Sequence, residues 1–378
     1  MHVTGYSYPW DVEGDFAERV RELGVDEVAV AVSYHSARAA TPWSRRGTSV
    51  VARHAAFYRP VRDTWGALRP APADWVDSPD SAGDAIRTLA AAGVPVAAWL
   101  VLTHNSLLGE AFPEFAVRNC FGESYPWALC PAHEAVREFA ARLTAESLAE
   151  LDVRSVVLEA CGQLGAIHQH QHEKTDAVWS PAAARLLSVC CCAACAAGWA
   201  EYDVAAQTVR DLLRDEVRRL IADGDLSTTE DRLPAEVREI LLANRQRATD
   251  WLRQDVCKQI SIDCRVVLHG STDPWATGAL PGLTPRAVHE VDAVVLPCWN
   301  AGAETVATVA AAAGSLPDTV DTGSYVTAVG PELADIAKYV QELRDAGADE
   351  LHLYHLGLAG PARWPELRRA VEQAHQPT

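Results

Sequence analysis

Short apolar runs alternate along the chain with stretches whose apolar positions recur every three or four residues. The runs predict eight strands, at Val3–Tyr8, Glu27–Tyr34, Val94–Thr103, Arg154–Glu159, Arg265–His269, Ala293–Trp299, Thr319–Tyr325 and Glu350–His355. Between them, amphipathic spacing predicts helices at Gly14–Leu23, Ser81–Ala92, His133–Leu148, Pro234–Ile260, Ala303–Gly314, Gly330–Ala346 and Trp364–Ala374. A glycine closes several of the helices, as at Gly24, Gly93 and Gly347. The run Val94–Leu102 is apolar throughout, as expected of a strand covered on both faces of a parallel sheet. Alternating strands and helices of this kind predict an α/β protein, a (β/α)8 barrel of the TIM type. An open doubly wound sheet is the alternative, but no Gly-x-Gly-x-x-Gly run follows the first strand.

Two connections exceed simple barrel loops: residues 35–80 after the second strand, and Cys161 to about Leu233 after the fourth. Both would leave the C-terminal ends of strands, where barrels build their active sites. We read residues 1–378 as one barrel domain, with 161–233 a helical, Cys-rich insertion on the catalytic face. The charged positions of 205–260 read as solvated helix faces, with a homo-oligomer contact as the other use for them.

Composition narrows the partners. Of 378 residues, 33 are Lys or Arg and 51 Asp or Glu, a formal charge of −18. This disfavours nucleic-acid phosphates and anionic membranes as partners, leaving a small-molecule or oligosaccharide substrate. The first residues, Met1-His2-Val3-Thr4-Gly5, carry no basic region followed by an apolar run. With ten cysteines read as reduced thiols, a cytoplasmic location is expected.

In a barrel, the residues at strand C-termini face one pocket. These are Tyr6, Tyr8, Trp10 and Asp11; Tyr34 and His35; His104 and Asn105; Glu159; His269, then Asp273 and Trp275; Trp299 and Asn300; Tyr325; and Tyr354 and His355. A single histidine at a strand end is most often a cap or a core residue. Four histidines, a glutamate and several aromatics on one rim exceed what packing requires. Aromatic faces beside imidazole and amide donors suit a sugar, which offers apolar C–H faces and a belt of hydroxyls. Glu159 ends the apolar run Ser155-Val156-Val157-Leu158, where desolvation would raise its pKa toward that of a general acid. A structural ion pair or a helix cap is the other use of a glutamate there.

Several segments resemble glycoside-hydrolase-like TIM-barrel proteins. They are Arg118-Asn119-Cys120-Phe121-Gly122-Glu123, the Cys-Pro-x-x-x-x-Val-Arg stretch Cys130–Arg137, and Cys190-Cys191-Cys192-Ala193-Ala194-Cys195. Tyr34-His35-Ser36 and Phe57-Tyr58-Arg59-Pro60 are similar to the second βα loop of the same proteins. The resemblance spans roughly residues 1–200 and implies a glycosidase-like barrel with Glu159 as acid/base. The chain departs from the pattern in Leu158, where many retaining barrel glycosidases carry Asn, and in the seventh strand, which lacks a terminal glutamate. Hydrolysis by paired carboxylates needs them roughly 5–5.5 Å apart for retention or roughly 6.5–9.5 Å for inversion. Asp273 is the first choice for the second carboxylate, with Asp321 and Asp11 behind it. Trp10, His35, His104, Asn105, His170, His269, Trp299, Asn300, Tyr325 and His355 are the expected substrate contacts.

Cys190, Cys192 and Cys195 have ligand-like spacing, with Cys191, Cys161 or a histidine to complete a tetrahedral set. A structural zinc is one reading, and buried small cysteines the other. In His168-Gln169-His170-Gln171-His172, alternate imidazoles would share one face of an extended segment, for substrate or metal, unless the stretch is a surface loop. Two further functions stay open. One is a metal-dependent hydrolase or lyase with His35, His104, His269, His355 and Glu159 as ligands; the other is a sugar-binding barrel without catalysis.

Overall fold

A computed structural model of the chain describes residues 1–167, 174, 175, 177–330 and 335–377. Eight parallel strands form a closed barrel: β1 (His2–Ser7), β2 (Glu27–Tyr34), β3 (Val96–Val101), β4 (Ser155–Glu159), β5 (Arg265–His269), β6 (Ala293–Pro297), β7 (Asp321–Thr327) and β8 (Glu350–Tyr354). Closure comes from β1, which pairs with β8 on one side and β2 on the other. Every strand expected from the apolar runs is present, and the barrel prevails over the open sheet. The seventh begins later than expected, at Asp321, because Val320 N–H donates to Pro317 O and ties the preceding residues into a turn.

Outer helices follow the predicted periodicity: α1 (Phe16–Leu23), α2 (Ser81–Ala91), α3 (Glu134–Leu148), α4 (Ala235–Cys257), α5 (Ala303–Ala313), α6 (Ile336–Asp345) and α7 (Trp364–Ala374). Gly24 ends α1 in the left-handed region at φ 84°, a conformation that glycine adopts without a Cβ clash. Between β5 and β6 the described chain forms only a 3-10 turn, Ala287–His289, so the fifth unit lacks an α-helix.

The connection after β2 holds a hairpin, Ala37–Ala40 with Ser49–Ala52, and returns along β2 through Ala56–Phe57. Buried Arg59 anchors it, donating to Ser147 O at 2.9 Å and Ala149 O at 2.8 Å at the end of α3. The insertion after β4 carries helices Pro181–Leu187, Ala193–Ala200 and Ala206–Asp223. A third long connection follows β3, with helix Ser106–Ala111 and hairpin Ala116–Arg118/Ser124–Leu129; the apolar pattern did not single it out. Among the described residues no helix is long and apolar enough to cross a membrane.

The Val, Leu and Ala side chains of the strands are buried, but the barrel interior is aromatic and polar. Tyr6 and Trp99, both fully buried, meet edge to face with ring centres 4.9 Å apart.

Candidate active site

Alternate residues of a strand share a face, so Ser155, Val157 and Glu159 of β4 point the same way. Their contacts show this face to be the barrel interior: Ser155 Oγ donates to Glu27 at 2.8 Å, and Glu159 Oε2 accepts from Trp99 Nε1 at 2.8 Å. Immediately beyond Glu159 the chain turns through Ala160, whose φ of 52° is unusual for a residue with a Cβ. Thr103 holds this turn, its single hydroxyl hydrogen shared between Ala160 O at 2.7 Å and Gly162 O at 2.9 Å. Strain supported in this way is a common feature of functional sites.

Above Glu159 lies a cavity of about 590 Å³, within the range of small-ligand sites. Tyr34, His35 and His104 line one side, Trp299, Tyr325 and Tyr354 another, and the β5 loop from Ala276 to Leu280 a third. His35 is stacked between Tyr34 and His104, at 4.2 and 4.4 Å between ring centres. Its Nδ1–H donates to Ser36 O at 2.8 Å. Tyr354 Oη lies 3.1 Å from Tyr8 Oη and 3.4 Å from Tyr34 Oη, a cluster of phenols at the cavity floor.

Burial pushes the Glu159 carboxyl up to about 8, against the opposing hydrogen bond from Trp99. At neutral pH this side chain is an acid with a proton to give. Beneath it, His269 Nε2 and His352 Nδ1 share Tyr6 Oη at 2.8 and 3.0 Å, and His352 Nε2 contacts Glu350 at 2.9 Å. Burial would raise Glu350, but the hydrogen bond from His352 and the charge of Arg265, 2.6 Å away, hold it down at about 2. Burial keeps the His269 imidazole well below its ordinary range.

Of the expected substrate contacts, His35, His104, Trp299 and Tyr325 stand on the cavity wall with Glu159. The others are placed elsewhere. Asn105 is spent on local structure, accepting from Leu108 N–H at 3.0 Å as the cap of helix Ser106–Ala111. Trp10 stacks on Tyr8 at 4.6 Å, beside Trp43 and Arg19 rather than over the cavity. Asn300 is exposed outside the lining. His269 and His355 are fully buried under the floor, and His355 Nδ1 accepts backbone N–H groups from Gly357 and Leu358. His170 lies outside the described residues, as do His168 and His172. Asp273, the expected second carboxylate, is exposed and accepts from Trp275 N–H at 2.9 Å, so the loop that carries it turns it away from the cavity. Asp321 sits at the opposite end of β7, bonded to Arg265. Asp11 is buried and pushed up to about 7, yet it faces His355 and Tyr8 N–H instead of the cavity. Glu159 is thus the one carboxylate among the described cavity-lining residues.

Trp99, Glu350 and His352 escaped the sequence reading. The signal for two of them was present: Glu350, His352 and Tyr354 alternate along β8 and so share its inner face. Trp99 was hidden inside an apolar run.

The cysteines gather differently from their spacing. Cys190, Cys192 and Cys195 are joined by Cys130, from the end of the β3–α3 hairpin, and the four buried sulfurs lie within 4.8 Å of one another. Cys130 Sγ is 3.6 Å from Cys195 Sγ and 3.8 Å from Cys192 Sγ. Four thiolates held at about 2.3 Å from one tetrahedral ion would stand about 3.8 Å apart, so the donor set fits zinc. Hydrogen bonds from Cys130, Cys190 and Cys195 pull the Cys192 thiol down, while Cys130 and Cys195 are pushed up. Cys191 is not part of the set; its Sγ faces Val189 O at 3.7 Å. Among the described residues no other group of His, Cys, Asp and Glu converges in this way, and the strand-end histidines do not assemble with Glu159 into a ligand set.

No protein-family model matches the chain, and no curated protein sequence matches it. Solved structures do. The glycoside hydrolase domain of PgaB (BpsB) from Bordetella bronchiseptica superposes with TM-score 0.60 at 15% identity, over 98% of this chain and 99% of that one. The catalytic domain of a beta-amylase from Paenibacillus polymyxa gives 0.56 at 11% identity, over 99% of each. Gan42B, a GH42 beta-galactosidase, gives 0.56 at 10% identity over 98% of this chain, which spans only 56% of that protein. The chain therefore shares with glycoside hydrolases the (β/α)8 barrel fold that its sequence led us to expect.

Proposed function

We propose that the protein hydrolyses a glycosidic bond in a carbohydrate or related polyol, with Glu159 as general acid. The observation that carries this reading is a buried carboxyl, protonated at neutral pH, on the wall of a cavity lined by Trp299, Tyr325, Tyr354 and Tyr34. The aromatic faces would stack on sugar C–H surfaces, and His35 and His104 would hydrogen-bond the hydroxyls. Glu159 then protonates the departing oxygen as the bond breaks, a water molecule adds to the anomeric carbon, and the proton that water loses returns to the Glu159 carboxylate. In Glu159→Gln the shape is kept and the proton removed, so turnover on an oligosaccharide panel should fall by about 10²–10⁴-fold. Unchanged turnover in that variant overturns the assignment.

A second reading, a sugar-binding barrel without catalysis, is favoured by the single carboxylate on the described cavity wall. Saturable oligosaccharide binding by calorimetry, with no product released by wild-type protein, selects it.

The cysteine cluster we assign to a structural zinc held by Cys130, Cys190, Cys192 and Cys195. Such an ion would tie the insertion after β4 to the β3–α3 hairpin. Closed four-sulfur sites of this kind serve folding rather than catalysis. Thiols kept reduced for such a site fit a cytoplasmic setting.

A further inference from the structure

The hydrogen bonds beneath Glu159 form a chain whose direction can be counted from its far end. Glu350 is an ionised carboxylate that can only accept, and it takes Arg265 at 2.6 Å and His352 Nε2 at 2.9 Å. The proton of His352 is therefore on Nε2, and a neutral ring leaves a lone pair on Nδ1. Tyr6 has one hydroxyl hydrogen and donates it to that lone pair at 3.0 Å. The phenol oxygen must then accept from His269 Nε2–H at 2.8 Å. This leaves His269 with a lone pair on Nδ1, which faces Glu159 Oε2 from 3.7 Å and has no hydrogen-bond partner among the described residues.

The opposite direction requires His352 as an imidazolium. It would place a buried N–H on His269 Nδ1, which has no acceptor within hydrogen-bond reach among the described residues and lies 3.7 Å from Glu159 Oε2. The groups facing His352 from its neighbours are Glu27 on β2, His2 on β1, and Arg265 on β5. Those facing Glu159 are Trp99 on β3, His269 on β5, and the neutral phenols Tyr6, Tyr34, Tyr325 and Tyr354. None of the latter is a cation that would draw Glu159 into its ionised form.

We propose that Glu350, His352 and Tyr6 fix His269 as its Nε2–H tautomer, and that the lone pair thereby turned toward Glu159 keeps this residue in its acid form. These four are positioning residues, and the inference rests on Glu159 acting as proton donor. A carboxylate facing a lone pair gains no hydrogen bond from it, whereas a carboxylic acid suffers no loss. The hydroxyl of a single tyrosine connects the two imidazoles, so the device is vulnerable at one atom.

The test begins with wild-type protein and no substrate. Nitrogen-15 NMR of histidine-labelled protein, with His269 and His352 assigned by single His→Gln variants, reads each tautomer directly. The expected result is Nε2–H on both rings from pH 6 to 8; a proton on His269 Nδ1, or a doubly protonated His352, overturns the proposal. In Tyr6→Phe, infrared difference spectra should show the Glu159 carboxylic-acid band, assigned by its absence in Glu159→Gln, titrating at a pH lower by about one unit. An unchanged titration in folded Tyr6→Phe also overturns it, and if this variant does not fold the tautomer measurement decides alone. Full turnover in Glu159→Gln would refute the functional reading while leaving the tautomer result intact, so the two failures are distinguishable.

Discussion

Replacing Glu159 by Gln should make the protein more stable at alkaline pH, by an amount that follows from the carboxyl's environment. In the fold this group titrates at about 8, against 4.5 for an ordinary glutamate. Between these values the folded chain holds a proton that the unfolded chain has released, so stability falls as pH rises. The slope is about 1.4 kcal/mol per pH unit, and the whole interval amounts to about 5 kcal/mol. Stability from this group is complete below about pH 4.5 and lost above about 8. Glutamine fills the same space and does not titrate, so the variant escapes the loss. The assay is urea unfolding of both proteins at half-unit steps from pH 5 to 9. The difference in unfolding free energy should move in favour of Glu159→Gln by several kcal/mol across that range. Asp11, pushed up to about 7, is present in both proteins and cancels in the comparison. A difference that stays flat with pH would show that Glu159 ionises freely at the cavity wall, and would refute the desolvation argument.

Three further outcomes follow from the same geometry. A general acid must be protonated, so kcat should fall on the alkaline side near pH 8; in Trp99→Phe, which loses a hydrogen bond to the charged form, that limb should move to higher pH. Elemental mass spectrometry of untagged protein should find one zinc per chain, lost in Cys130→Ser as well as in Cys192→Ser, with a lowered Tm in both; retention in Cys130→Ser would exclude the fourth ligand. Trp299→Ala should weaken oligosaccharide binding by about tenfold through lost stacking, read by calorimetry, while Trp10→Ala leaves binding unchanged because Trp10 packs away from the cavity.

The zinc cluster illustrates how sequence and structure divide the information. Three of its cysteines are close in sequence, and their spacing alone marked them as ligands. Cys130 is distant in sequence and stands in a hairpin whose position depends on packing, so nothing local identified it as the fourth. Asp273 is the converse case. Its place just after β5 predicted a pocket residue, but a turn around Trp275 N–H directs it to solvent. Which way a loop side chain points depends on contacts that no strand periodicity encodes.

The sequence by itself determined the eight strands, the seven helices and the closure into a barrel. Period-two and period-3.6 apolar patterns are local, and burying them allows few architectures. It also determined that Glu159 ends the fourth strand, since an apolar run meets a carboxylate there. Only the tertiary structure decided what surrounds that carboxylate. Trp99, Tyr6, His269, His352 and Glu350 come from β3, β1, β5 and β8, strands that the chain joins only by wrapping once around the barrel. That Glu159 holds its proton at neutral pH arises from burial, set against the hydrogen bond from Trp99. Both are properties of the assembled interior rather than of any single segment.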